Sequence, residues 1–257
     1  MFIEERHQAI LNLLSKNGRL SIDEITEKFE ISVESARRDL RILEEKGLLK
    51  KTHGGALPAH QIAVGKPPKV TGKVTEVYPN YLAIAKKAVS LIKNNDVVFI
   101  TSASVGYLMT QNIPNDLHIR VVTNSIIIAE ELRVKDNISV ILLGGEIDNK
   151  GNCYDAFAID MIKHLRFDKC FITSAFISSN FGLSIQKSQA ISFWNALIDS
   201  SKETVGLYPT EKIGFESVVS ICPANRLDKL ITDWDASEED LSVFDEQGIE
   251  LIVVEKE

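Results

Sequence analysis

Two groups of residues in this 257-residue chain have types and spacing that could do chemistry. The first is basic. Arg37, Arg38 and Arg41 fall within five positions, behind Ser32-Val33-Glu34-Ser35, and Lys50, Lys51 and His53 follow. Guanidinium forks pair with phosphate or with the edge of guanine, and a helix N-terminus can be offered to base edges. The second group is small and polar. Thr101-Ser102-Ala103-Ser104, Thr123-Asn124-Ser125, Gly144-Gly145 and Lys212 each follow an apolar, strand-like run. Backbone amides and hydroxyls at such a strand-to-helix junction can cradle an anion. Proton transfer needs a placed carboxylate or histidine, and the loop at 101 offers neither. No catalytic residue is therefore assigned. Five histidines and three cysteines (Cys153, Cys170, Cys222) show no ligand spacing, so neither a metal site nor another cofactor is expected.

The basic group needs helices to hold it. Ile3, Ile10, Leu11, Leu13 and Leu14 recur at helical spacing up to Asn17-Gly18. Ser21-Ile22-Asp23-Glu24 reads as a capping box opening a second helix with an Ile22, Ile25, Phe29 stripe. Ser32 caps a third, Val33 to Lys46, ended by Gly47. Its core stripe is Val33, Ala36, Leu40 and Leu43, which leaves the arginines on other faces. Leu48 to Gly55 reads as a strand and turn carrying the two lysines. The pattern predicts a helix-turn-helix with a basic wing, its third helix entering the major groove. An amphipathic hairpin with solvating arginines would have the same periodicity.

The polar group needs a sheet. Residues 58–80, with four prolines and no periodicity, read as a linker. Strands are predicted at 97–101, 118–123, 138–143, 168–173, 203–208, 218–222, 228–232 and 249–254. Helices are predicted at 81–93, 104–112, 125–134, 154–165, 186–200 and 238–246. This alternation implies a mainly parallel sheet covered on both faces, with ligands in the crevice beyond its strand ends. Gly144-Gly145 could equally serve a tight turn.

Charge separates the two parts. Residues 1–57 hold ten basic and ten acidic side chains, so the net charge of −7 falls on the remainder. Nucleic acid is thus sought in the first part alone. The early charges of MFIEERHQAI and the lack of a long apolar run exclude a secretory signal and a membrane span. A cytoplasmic protein with reduced cysteines is expected.

Ser32 to Leu40, followed by Leu43-Glu44, Gly47-Leu48 and Thr52-His53-Gly54-Gly55-Ala56, resembles the N-terminal signature of the DeoR family of bacterial transcription regulators, S-x-x-T-I-R-R-D-L-x-x-L-E-x-x-G ending in H-G-G-A. Ser35 and Ala36 stand where Thr and Ile are usual. Thr123-Asn124-Ser125, Leu143-Gly144-Gly145, Arg166 to Lys169 and Ile231-Thr232-Asp233 resemble the family's sensor domain. The resemblance implies a small winged helix-turn-helix domain (1–57), a linker (58–80) and an α/β sensor and oligomerisation domain (81–257). That last domain would be similar to the fold of ribose-phosphate isomerase and glucosamine-phosphate deaminase. It further implies a homo-oligomeric repressor bound to a double-stranded operator and sensing a phosphorylated sugar or other anionic metabolite.

The sensor loops depart from the family. Its D-x-G-T-T-T reads Thr101 to Gly106 here, with Thr101 for the acid, Ala103 for the first glycine and Val105 for a threonine. Its D-S-S-K-F-G reads Pro209 to Gly214, keeping Lys212 but adding Glu211, and Tyr81 replaces a usual lysine. These changes imply an effector less hydroxylated than a common sugar phosphate. They also leave open a regulator controlled by a protein partner and, more remotely, an isomerase-like enzyme.

Overall fold

A computed structural model of the protein describes residues 3–46, 48–58 and 78–256. The first part comprises α1 (Ile3–Asn17), β1 (Leu20–Ser21), α2 (Ile22–Phe29), α3 (Val33–Glu45), β2 (Leu49–Thr52) and β3 (Gly55–Pro58). Its capping is as the sequence predicts: Glu24 N donates to Ser21 Oγ (3.1 Å) and Ser21 N to Glu24 Oε2 (2.7 Å). Ser32 Oγ accepts from Ser35 N at the head of α3 (3.2 Å). Between the two helices Glu30 turns the chain in the left-handed region, φ 51°. Gly47, the expected terminator of α3, lies outside the described residues.

Ile10, Leu14, Ile25, Leu40, Leu43 and Leu49 form the core of this module. Val33, expected to face that core, is instead exposed at the first position of α3. Its place on the buried stripe is taken by a charged residue, Asp39, which is 1% exposed. The Asp39 carboxylate accepts from Arg6 Nε (2.7 Å) and Arg6 Nη2 (3.2 Å) and lies 3.1 Å from His7 Nε2. Two partners from α1 thus compensate its burial and fix the angle at which α3 leaves the module. A small antiparallel sheet of order β1-β3-β2 closes the module. Gly55 is required there, because a Cβ would fall 2.1 Å from Leu20 O.

The second part runs α4 (Pro79–Ser90), β4 (Val97–Ile100), α5 (Ser104–Asn112), β5 (Ile119–Thr123), α6 (Ile126–Leu132), β6 (Ile138–Leu142), α7 (Ala156–Lys163), β7 (Lys169–Ile172), β8 (Phe176–Ser178), β9 (Gly182–Ile185), α8 (Ile191–Asp199), β10 (Thr204–Leu207), β11 (Val219–Cys222), β12 (Lys229–Thr232), α9 (Glu238–Asp245) and β13 (Glu250–Val253). β3 runs through Pro58 and α4 opens at Pro79, so regular structure reaches into both ends of the expected linker. The rest of that linker, 59–77, lies outside the described residues.

Seven strands form one wholly parallel sheet of order β13-β12-β10-β7-β4-β5-β6. Successive residues serve opposite faces. Val98 and Ile100 pack with Ile84, Leu108 and Leu132 of α4, α5 and α6. Phe99 packs with Ile162, Phe193 and Phe244 of α7, α8 and α9. One expectation fails: residues 218–222 form β11, which leaves the parallel sheet and joins a small antiparallel sheet of order β11-β9-β8. The hairpin β8–β9 is too short to be read from periodicity, and it captures the strand that follows. Among the described residues no helix is long and apolar enough to cross a membrane.

Candidate DNA interface and effector crevice

The head of α3 presents the expected basic face. Ser32, Val33, Glu34, Arg37, Arg38 and Arg41 are exposed and Ser35 is half-buried against its cap. The three guanidinium groups make no ion pair among the described residues. Ala36, Leu40 and Leu43 are buried on the opposite side, so the arginines are held out by the packing of their own helix. The wing contributes unevenly. His53 is exposed at its turn, whereas Lys51 is tied back to α3, its N donating to Glu44 Oε1 (2.7 Å). Lys50 faces the sensor part, its Nζ 2.5 Å from Asp240 Oδ1.

The sheet order brings the polar loops into one row along the carboxyl edge, running from β12 through β10, β7, β4 and β5 to β6. Thr101 is buried and its N donates to Phe171 O (3.2 Å). α5 then opens at Ser104 behind Ala103, which supplies no side-chain cap, so its first amides have no side-chain acceptor. Gly106 lets that turn close, since a Cβ there would meet Thr101 O at 2.0 Å. In the next loop Thr123 Oγ1 donates to Ile100 O (3.0 Å) and accepts from Ser125 N (3.2 Å). Asn124 Nδ2 donates to Cys153 O (3.1 Å). Asn124 Oδ1, also buried, has no hydrogen-bond partner within ordinary distance among the described residues.

Gly144 and Gly145 are exposed at the rim rather than within the row. Gly145 adopts φ 140° beneath Asp155, whose carboxylate accepts from Glu146 N (2.6 Å) and caps α7 through Phe157 N and Ala158 N. Gly145 thus serves the bend beneath Asp155, as an alternative to the effector contact expected of it. Tyr154, which the sequence pattern did not single out, packs edge-on against Phe193 and brings its hydroxyl 3.0 Å from Ser102 Oγ. It therefore joins the wall at Ser102 to the loop after β6.

Lys212 sits apart from Thr101, with the β7 loop between them. Its Nζ donates to Thr173 Oγ1 (3.2 Å) and Ser174 O (3.3 Å). Burial pushes the ammonium pKa down to about 8, and the neighbouring Glu211 charge only partly offsets this. Ser174 Oγ in turn lies 2.8 Å from the buried hydroxyl of Tyr208. Thr173, Ser174 and Tyr154 contact the expected residues Lys212 and Ser102 although sequence reasoning passed them over; Thr173 ends and Ser174 follows the strand predicted at 168–173, which was the available signal. Behind Lys212, the buried Asp233 carboxylate accepts from Thr210 N (2.9 Å), Thr210 Oγ1 (2.8 Å) and Asn80 Nδ2 (3.1 Å). Burial raises the pKa of the adjacent Glu211 and, strongly, that of Tyr81. Lys212 and the uncapped head of α5 each present groups suited to an anion, on loops separated by that of β7.

Residues 6–61 match the family described as DeoR-like helix-turn-helix domain, and residues 80–234 match that described as DeoR C terminal sensor domain. The chain is 28% identical over 259 residues to the HTH-type transcriptional regulator GolR of Listeria innocua, covering 99% of this chain and 100% of that one. It is 29% identical over 260 residues to the HTH-type transcriptional repressor GlcR of Bacillus subtilis, covering 100% and 98%. It is 28% identical over 231 residues to the Glycerol-3-phosphate regulon repressor of Escherichia coli, covering 89% and 90%. Among solved structures, ribose 5-phosphate isomerase of Methanocaldococcus jannaschii matches at 16% identity and a TM-score of 0.37, over 51% of this chain and 52% of that one.

Proposed function

Because the chain belongs to the DeoR family and is a DNA-binding transcriptional regulator of that type, we propose a repressor in which residues 1–57 bind the operator and 81–257 sense a small anionic metabolite. Ser32 to Ser35 at the head of α3 meet base edges, and Arg37, Arg38 and Arg41 bind phosphate or guanine, with His53 at the wing turn. Two copies act together, because half-sites on a duplex are matched by a two-fold protein. The protein works in the cytoplasm, where its operator lies.

Lys212 carries the effector reading. A half-buried ammonium bonded, among the described residues, to one hydroxyl and one carbonyl is incompletely compensated, and an anion would relieve it. The free amides at the head of α5 and the orphaned Asn124 Oδ1 offer further groups, the first to a phosphate and the second to a hydroxyl. A small phosphorylated metabolite fits these groups, in keeping with the name of the Escherichia coli relative. Thr101, Ala103 and Val105 remove a carboxylate and a hydroxyl, so pentose and hexose phosphates bind poorly; each unpaired ligand hydroxyl costs about 1–3 kcal/mol. No residue of the row is assigned to proton transfer, and the protein is read as a regulator rather than an isomerase.

Calorimetry with glycerol 3-phosphate, ribose 5-phosphate, glucose 6-phosphate and inorganic phosphate tests this. Binding of a lightly hydroxylated phosphate, lost in Lys212→Ala, supports the anion site. Binding that persists in Lys212→Ala removes its basis, and tight binding of an ordinary sugar phosphate contradicts the specificity.

A further inference from the structure

The DNA-binding module and the sensor part touch, and they do so through basic groups of the one and acidic groups of the other. At the root of the wing Arg19 Nη2 lies 2.7 Å from Asp235 Oδ2. On β2, Lys50 Nζ lies 2.5 Å from Asp240 Oδ1 and 5.9 Å from the centre of the Phe215 ring. The wing turn closes on the same loop, with His53 N donating to Asp235 O (3.3 Å). Two glycines permit this approach. A Cβ at Gly54 would fall 2.5 Å from Asp235 Oδ1, and one at Gly214, itself left-handed at φ 78°, would fall 2.6 Å from Lys50 Nζ.

The sensor groups in this junction stand on the loops that line the effector crevice. Asp235 follows β12, and Thr210 and Gly214 bracket Lys212 after β10. The Asp233 carboxylate joins the two loops, accepting from Thr210 N and Thr210 Oγ1 on one side and from Asp235 N (3.2 Å) on the other. Arg19, Thr52, Gly54, Thr210, Glu211 and Asp235 together line a narrow cleft between the two parts.

We propose that Asp235 and Asp240 are an internal competitor for DNA, holding Arg19 and Lys50 as backbone phosphates would. The proposal rests on the reading of the wing as a DNA-binding element. An ammonium paired at 2.5 Å with a carboxylate cannot also neutralise a phosphate, so docking of the wing and full engagement of a duplex exclude one another. The competition is weak enough to be reversible, because all four side chains keep some contact with water. It is also sited where an anion at Lys212 can act on it, since Lys212 stands two residues from both Thr210 and Gly214.

The test is a fluorescence-anisotropy titration of a mixed-sequence duplex with the full chain at several salt concentrations. Asp235→Asn/Asp240→Asn keeps the shape of both side chains and removes their charge. Asp116→Asn/Asp136→Asn, exposed on the loops before β5 and β6 at the opposite edge of the sheet, removes the same charge away from the junction. The first pair is expected to bind roughly tenfold more tightly than the wild type, with a salt dependence steeper by up to about 2 in log–log slope as two phosphate contacts are released from competition. The second pair is expected to stay within about twofold. Equal changes in both pairs would reduce the effect to net charge and overturn the proposal, as would wild-type behaviour of the first pair. Failure of the wild type to bind the duplex would instead overturn the DNA reading on which the proposal stands.

Discussion

Replacing Lys212 by methionine should stabilise the ligand-free protein at neutral pH. Burial lowers the pKa of this ammonium from 10.5 to about 8. At about 1.4 kcal/mol per pH unit, the charged form opposes folding by about 3 kcal/mol below pH 8. Methionine fills similar volume without the charge and forfeits the bonds to Thr173 Oγ1 and Ser174 O, which are worth about 1–3 kcal/mol together. The net gain is up to about 2 kcal/mol. The sign of its pH dependence follows from proton counting. Below pH 8 folded and unfolded chains both hold the proton, and the penalty is complete. Between about 8 and 10.5 the unfolded chain still holds a proton that the folded chain has released, so wild-type stability rises with pH and the advantage of methionine fades. Urea unfolding followed by tryptophan fluorescence, near pH 7 and near pH 10, measures both quantities. A methionine variant less stable than wild type at neutral pH, or an advantage indifferent to pH, would refute the reasoning. Lys212 would then be a structural residue.

Asp39→Ala should destabilise the DNA-binding module by about 3–5 kcal/mol, because Arg6 and His7 lose their buried partner; chemical denaturation of the full chain reads this as an earlier first transition. Burial pushes the Asp39 carboxyl up, but the hydrogen bonds and charges of Arg6 and His7 outweigh it and hold its pKa below the ordinary value. The contribution of Asp39 is therefore complete above the ordinary carboxylate range and lost as pH falls below it through the depressed folded value, which acid titration of the same transition checks. Gly106→Ala should drive the head of α5 away from Thr101 O, costing more than about 2 kcal/mol and abolishing anion binding together, as urea unfolding and calorimetry would record. Light scattering on the full chain should give at least a dimer, and a monomer that still binds a palindromic operator with full affinity would contradict the two-fold arrangement.

Much of this was legible in the sequence. Helix caps at Ser21 and Ser32 and the apolar stripes of α2 and α3 are local signals, and the structure keeps them except at Val33, which is exposed. The parallel sheet was legible because strands buried on both faces read as apolar runs, Val97 to Ile100 among them. What escaped depends on contacts distant in sequence. Asp39 is polar and sits where periodicity asks for a hydrophobe; only Arg6 and His7, more than thirty residues away, make its burial tolerable. The fate of β11 depends on the four-residue β9, with which it pairs. Lys50 looks like any wing lysine until Asp240, 190 positions on, is found beside it. In the crevice the strand-end rule located Thr101, Asn124 and Lys212, but it could not reveal that Tyr154 reaches Ser102 or that Gly145 is committed to a turn under Asp155.

The central claim is that the arginines at the head of α3 bind the operator, and salt-dependent titration of Arg37→Ala/Arg38→Ala tests it most directly. The operator is first selected from a random duplex library with the wild-type chain. If both residues contact phosphate, the log–log salt slope of the variant should fall by about 2; if one instead grips guanine, discrimination at that base pair should fall by about 1–3 kcal/mol. Both exposed side chains lie outside the core, so stability should be unchanged. A variant that binds the selected operator with wild-type affinity, slope and base preference would contradict the account.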